Sequence, residues 1–487
     1  MSARLELNPS KFESNIYAIE YLFEAGVADN AGLVIPDYQR RYTWAEEDIL
    51  RILVDLMKSV RLRENMPASN FFGATVWCKR NRVNEPEFSL PSFDIVDGQQ
   101  RISTIMLLIL SCAFTIFRTH KYLQYSSPLP SNLNTWLTSQ IELIRHRVDN
   151  STVGILRRAE IEFPRIINEN DIRGRTKATS DFVSPISQVQ MKFYKALEDG
   201  ETEIDFSSLR IKERDRDVFE RLKNNFEIFN DHIERIADQS FWDRHNVELT
   251  ERHKLKNKHL KDLLQSDSFP ESEFDKTVNK NELFEKLIRV MQLYGQLTKA
   301  SCFSIISCND EDTAFAIFDS LNTTGVPLTA IETLKPQLMR SYRDKGYTFD
   351  DSQADKNLRK VEEVINAPGN SQEQQITLSK ELVIHSILLG KGDVVSNNLN
   401  HQRTKMREMH SKCAEAGELD LCSTILRNIV EYREEFSFVN NIRAFSSPTL
   451  TPSEIDEVKL INTFLTNSGT KLHRPVKPPL SVPILRS

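Results

Sequence analysis

Asp97, Gly98, Gln99, Gln100 and Arg101 stand together in FDIVDGQQRISTIMLLIL, between a short apolar run and a long one. A strand that ends in Asp-Gly and passes at once into a helix leaves the first backbone N–H groups of that helix without partners. Those groups and the helix dipole favour an anion. Gly98 allows close approach of a ligand, or an unusual dihedral where the chain turns. Arg101 adds a forked cation suited to phosphate oxygens, and Gln99 and Gln100 carry amide donors for a phosphate or a ribose hydroxyl. Asp97 would orient a water or an Mg²⁺ ion carried by phosphates. The assembled chemistry is a phosphate cradle with Asp97, Gln100 and Arg101 as catalytic candidates. Cap chemistry alone also selects Asp and Gly at such a place, with Arg101 paired to a surface acid.

Two further polar clusters accompany this one. IPDYQRRYTW supplies Gln39, Arg40, Arg41, Tyr42 and Trp44, donors and aromatic faces suited to phosphate and base contacts, or an ordinary loop anchored by Trp44. FDSLNTTGVPLTAIETLKPQL supplies Asn322, Thr323, Thr324 and Gly325 in a turn, then Thr329 as the cap of a helix carrying Glu332 and Lys335. It reads equally as a well-capped helix.

Regular elements must hold these clusters. Leu33 to Ile35 reads as a short strand broken by Pro36, and Ile49, Ile52, Leu53, Leu56 and Val60 fall at helical spacing. FFGATVWC and PSFDIV read as two strands joined by the charged NRVNEPE, and CFSIISC as another strand. The apolar run Ile102 to Phe117 is short for a membrane span and is interrupted by Ser103, Thr104, Ser111 and Cys112, which predicts a core helix. From Ser127 to about Ala300, and again from Leu358 to Leu465, the pattern is helical, and the tail KLHRPVKPPLSVPILRS is expected to be extended. With only 15 glycines, helix should dominate and strands should be few and local. The expected class is α+β: a small α/β unit over residues 1–125, a helical region over 126–350 and a helical C-terminal domain over 351–487.

Charged residues at 27% and hydrophobic ones at 39% give an ordinary soluble profile over 487 residues. A net charge of -6 excludes a protein that coats nucleic acid with its whole surface, while a local basic groove stays open. ERHKLKNKHLKD is the most basic short stretch; on a helix Lys254, Lys258 and Lys261 share a face beside Arg252, a candidate DNA contact or a solvated exterior. Six cysteines with no CxxC pair predict a reducing compartment, and MSARLELNPSKFESN has no apolar segment of the kind that directs secretion, so a cytoplasmic protein is expected.

In order along the chain, IPxYQRxYxW, FxxVDGQQRxxT and FxxLNxxGxxLxxxExLK resemble the N-terminal subunit or domain of the GmrSD-type modification-dependent restriction enzymes, from about Asn15 to Arg340. That domain is related to the ParB and sulfiredoxin superfamily, so the resemblance implies a ParB-like N-terminal unit. It also implies binding and hydrolysis of a nucleoside triphosphate (GTP, ATP, CTP or UTP) with Mg²⁺ in a phage-defence system that cuts modified DNA. By position, the nucleotide site would comprise Gln39, Arg40, Gly98, Gln99, Arg101, Asn322, Gly325, Glu332 and Lys335. Full-length relatives carry a His-Asn-His nuclease motif. None of the ten histidines, His385, His401, His410 and His473 among them, sits in such a motif, so the nuclease is expected on a separate chain or effector subunit, or to be absent. A homo-oligomer is possible and no membrane partner is expected. The rival readings are a nucleotide- or DNA-binding sensor without catalysis, and a nuclease that uses the ParB-like pocket itself.

Overall fold

Strands form where Val, Ile and Phe gather between turn-forming residues, and helices where apolar residues recur every three or four positions. The computed structural model describes residues 12–23, 32–36, 39, 41–62, 69–79, 92–126, 128–156, 161–172, 182–238, 240–241, 269–278, 280–310, 313–314, 317–318, 321, 329–349, 351–367, 370–393 and 395–440. These fall into two compact units, Met1–Ser320 and Leu321–Ser487.

In the first unit, β1 (Phe12–Ala18) and α1 (Ile19–Phe23) precede β2 (Gly32–Ile35), α2 (Glu46–Leu62), β3 (Asn70–Lys79), β4 (Ser92–Asp97), α3 (Gln99–Ser126) and α4 (Ser131–Thr152). Next come β5 (Val153–Leu156), β6 (Ile161–Pro164), β7 (Ile166–Asn168), α5 (Glu169–Ile172), α6 (Pro185–Glu198), α7 (Arg216–Ala237), α8 (Glu271–Val278), α9 (Glu282–Lys299) and β8 (Ser301–Cys308). The α+β expectation holds, and the four strands read from sequence are β2, β3, β4 and β8.

The sheet is mixed, in the order β1-β8-β3-β4-β2-β7, and β5 pairs with β6 apart from it. β8 lies antiparallel to β1 and parallel to β3. β3 pairs locally with β4 and β5 with β6, but the pairing of β8 with β1 and β3 is not local, contrary to the expectation. Hydrophobic periodicity marks where a strand lies but carries no signal for its neighbour, and β8 fills the gap because Phe303 and Ile305 alternate into the core.

One face of the sheet packs Trp77, Ile95, Phe303 and Ile305 into a core dominated by α3. By length and composition α3 could cross a membrane, yet 83% of its apolar window is buried inside the fold, which makes it the central helix of the unit. An edge-to-face cluster surrounds it, with ring centroids 4.6 Å apart for Phe193 and Phe226 and 6.4 Å for Phe114 and Phe193.

The second unit contains α10 (Ala330–Asp344), α11 (Gln353–Ile365), α12 (Gln372–Lys391), α13 (Leu399–Glu415) and α14 (Leu421–Asn440) among the described residues. Its core is built from Leu334, Leu338, Val361, Leu382, Ile387 and Leu426. α12 opens with a reciprocal capping box between Ser371 and Gln374 and closes at Gly392, whose φ of 72° is a left-handed C-terminal cap. All six cysteines are free.

Candidate functional site

β4 delivers Asp97 to the end of the sheet, and one residue later α3 begins. Gly98 makes that turn with φ at +96°, and a Cβ there would lie 2.5 Å from Thr75 Cγ2, so only glycine fits. The Ile102 N–H donates to Gly98 O at 3.0 Å. The N–H groups of the residues before Ile102 therefore precede the helical ladder and form the positive end of α3.

Arg101 lies across this end. Its Nη1 donates to Phe72 O at 3.0 Å and its Nη2 to Asp97 Oδ2 at 3.2 Å. These bonds use two of the five guanidinium donors, and about a quarter of each charged side chain is exposed (27% for Arg101, 26% for Asp97). Space for the guanidinium comes from a bulge in β3: its register against β8 shifts between Phe71 and Ala74, and Gly73 between them has φ at +96°. A Cβ on Gly73 would overlap Arg101 Nη1. Thr75, fully buried against Gly98, has no hydrogen-bond partner for its Oγ1 among the described residues.

The second cluster meets the first. The Gln39 amide donates to Val96 O at 2.6 Å and Ile95 O at 3.2 Å, which fixes it to the last residues of β4. Gln100 holds the next stretch at both ends of its own amide: Nε2 donates to Arg41 O at 2.9 Å, and Oε1 accepts from the Thr43 N–H at 2.9 Å. Burial raises the pKa of the Tyr42 phenol above its usual value, and its oxygen lies 2.6 Å from Thr104 Oγ1. From α7, Arg221 Nη1 donates to Thr43 O at 2.7 Å and Asn225 Nδ2 to Trp44 O at 2.9 Å.

The structure thus gathers Gln39, Asp97, Gly98, Gln100 and Arg101 at one end of the sheet, while the Gln99 side chain is buried. Glu332 and Lys335 belong to the second unit. There Glu332 accepts from the Thr329 N–H at 2.7 Å in a reciprocal cap, and Lys335 pairs with Glu362 at 3.2 Å. Arg40, Asn322 and Gly325, and the basic candidates Arg252, Lys254, Lys258 and Lys261, lie outside the described residues. Among the described residues no group of three or more His, Cys, Asp or Glu side chains could hold a metal.

Phe72, Gly73, Thr75, Arg221 and Asn225 were not identified from sequence. The glycine in FFGAT signals a bulge or a close approach, but not which side chain fills it. Arg221 and Asn225 sit in a stretch of mixed charge that looks like any solvated helix.

A family model described as the N-terminal domain of the GmrSD restriction endonuclease matches residues 22–339. That span contains the Gln39–Trp44 and Asp97–Arg101 segments as well as Glu332 and Lys335. An uncharacterized protein of Methanocaldococcus jannaschii is 23% identical over 172 residues, covering 34% of this chain and 27% of that protein. The match thus spans about a quarter of the relative's length.

Proposed function

Because the chain belongs to the family of the GmrSD restriction endonuclease N-terminal domain, which points to a restriction-type protein of phage defence, we propose that it binds and hydrolyses a nucleoside triphosphate at the Asp97–Arg101 turn. Turnover would couple sensing of modified DNA to control of a nuclease on a separate chain, in the cytoplasm. The observation that carries this reading is the Arg101 guanidinium, held by Asp97 and Phe72 O beside the N-terminal end of α3.

A polyphosphate is the ligand such an arrangement suits. Arg101 would take phosphate oxygens with its remaining donors, the first N–H groups of α3 would take others, and Gly98 presents no side chain to obstruct them. Mg²⁺, when bound with the nucleotide, supplies neutralisation of phosphate charge, and Asp97 is the residue that would hold it. A magnesium ion that keeps its waters and its phosphate ligands needs only one or two carboxylates, which suits this donor set. Fixed positive groups in this place stabilise the negative charge on the transferred phosphoryl group without reorganisation.

A sensor that binds nucleotide without turnover is the second reading. It is favoured by Gln100, whose amide is engaged at both ends by the Arg41–Thr43 loop and so is committed to backbone groups of the protein.

Phosphate release from GTP, ATP, CTP and UTP, with Mg²⁺ and with plain or modified DNA, separates the two. Wild-type turnover should be lost in Arg101→Ala, with nucleotide affinity weakened about 10- to 100-fold, as expected for a charged hydrogen bond of about 1.5–3 kcal/mol. Turnover unchanged by the substitution would remove the assignment. Binding that depends on Arg101, without phosphate release, would make the protein a sensor.

A further inference from the structure

Asp217, Arg221 and Asn225 are spaced four apart on α7 and so share one face of it. All three reach the same short piece of irregular chain. Asp217 Oδ1 lies 3.3 Å from Arg41 Nη1, and Arg221 donates to Thr43 O. Asn225 Nδ2 donates to both Tyr42 OH, at 3.0 Å, and Trp44 O. From the opposite side the same piece is held by Gln100, in the first turn of α3.

The hydroxyls give this contact a direction. Thr104 uses its single O–H proton on Gln100 O at 2.8 Å, so Tyr42 must donate to Thr104 Oγ1 and receive from Asn225. A chain of bonds therefore runs from Asn225 through Tyr42 and Thr104 to the Gln100 carbonyl, and such chains polarise one another. Asn225 sits where this polar row meets the apolar side of α7: Val218, Leu222, Phe226, Phe229 and Ile233 are buried there, and it is itself fully buried. Its Oδ1 has no partner among the described residues. A polar side chain left half-satisfied in a core lowers stability. The sequence keeps it where its two N–H groups grip the loop.

We propose that this face of α7 positions the Arg41–Trp44 segment against the first turn of α3, with Arg221 and Asn225 as positioning residues for the nucleotide at Arg101. Through them, movement of α7 reaches the residue next to Arg101. This inference rests on the nucleotide reading given above for its chemistry, but the mechanical link stands on the hydrogen bonds alone.

Two measurements on the full chain test it in Arg221→Ala, Arg221→Lys, Asn225→Ala and, as a control on the exposed side of α7, Asn224→Ala. The first is amide hydrogen exchange over residues 41–45. The second is phosphate release with whichever of GTP, ATP, CTP and UTP the wild type hydrolyses fastest. Arg221→Ala and Asn225→Ala should speed exchange about tenfold and lower kcat about tenfold with KM changed less than about twofold. Arg221→Lys should restore most of both, and Asn224→Ala should change neither. A wild type that binds without turnover overturns the positioning role and leaves the exchange result to decide the link.

Unchanged exchange overturns the link whatever the kinetics show. Faster exchange with normal kinetics overturns the positioning role, as does a fall in activity matched by a fall in Tm, the signature of a purely structural residue. A wild-type protein that neither binds nor hydrolyses any of the four nucleotides overturns the functional reading, and the positioning role with it, while the exchange result still decides the link.

Discussion

At the scale of single residues, the strand-to-helix turn at Asp97 and Gly98 was legible because Asp and Gly each have a strong local reason to be there, whereas Gln100 holds the distant Arg41–Thr43 stretch. Gly98 is required by its dihedral and by the Thr75 methyl, and Asp97 and Arg101 fall on opposite sides of a strand-to-helix junction. That Asp97 and Arg101 bind each other was not foreseen: sequence alone paired Arg101 with an unspecified surface acid and made Asp97 a cap or an Mg²⁺ ligand. Gly73 shows what pattern could not supply. Its missing side chain matters to a guanidinium 28 positions further along the chain, and only the folded sheet brings the two together. Gly73→Ala should therefore displace Arg101 without changing its chemistry, at a backbone cost of about 1–2 kcal/mol for the positive φ. Titration of a fluorescent nucleotide should show affinity reduced about as far as in Arg101→Ala, and the double substitution should lose little more, because both act on one group. Additive losses would show that the bulge serves the strand and not the arginine.

At the scale of elements, α3 illustrates how a correct expectation can rest on an incomplete reason. Ser111 and Thr115 break its apolar run, but each hydroxyl donates to the carbonyl four residues earlier, Leu107 O at 2.8 Å and Ser111 O at 3.0 Å, and so costs the helix little in any apolar setting. What identifies a core helix is the cover supplied by α4, α6, α7 and α9, which periodicity does not reveal. In the second unit, α13 and α10 are joined by a buried contact of 2.9 Å between His410 Nε2 and Ser341 Oγ. Burial lowers the His410 pKa below its ordinary 6.5. The folded state then resists a proton that the unfolded chain accepts, so stability is complete above about pH 6.5 and falls as pH drops through the window beneath it. His120 in the first unit is shifted in the same direction by burial. Comparing Tm for wild type and His410→Gln between pH 7.5 and 5 isolates the second unit: the substitution should flatten the acid loss, and parallel curves would show that His410 does not drive it.

At the scale of the whole molecule, strand positions were readable and strand order was not. Four of the six strands in the main sheet were marked by their composition, but the insertion of β8 between β1 and β3 depends on which hydrophobic face is left uncovered after the helices pack. The expectation of local pairing therefore failed at the strand that completes the sheet. A fragment ending at Ser320 should be soluble and unfold cooperatively, whereas one ending at Ala300 lacks β8 and should aggregate through the uncovered edge of β3. Size-exclusion chromatography of both decides this; two equally well-behaved fragments would show that β8 is dispensable. The same topology imposes a delay during synthesis. β1 pairs with β8 alone, so after Ala18 leaves the ribosome its strand has no native partner until Ser301 to Cys308 follow, a wait of tens of seconds at about 5–20 residues per second. Throughout that wait the nascent chain carries one orphaned strand and one open edge, the unpaired backbone on which non-native pairing and aggregation begin.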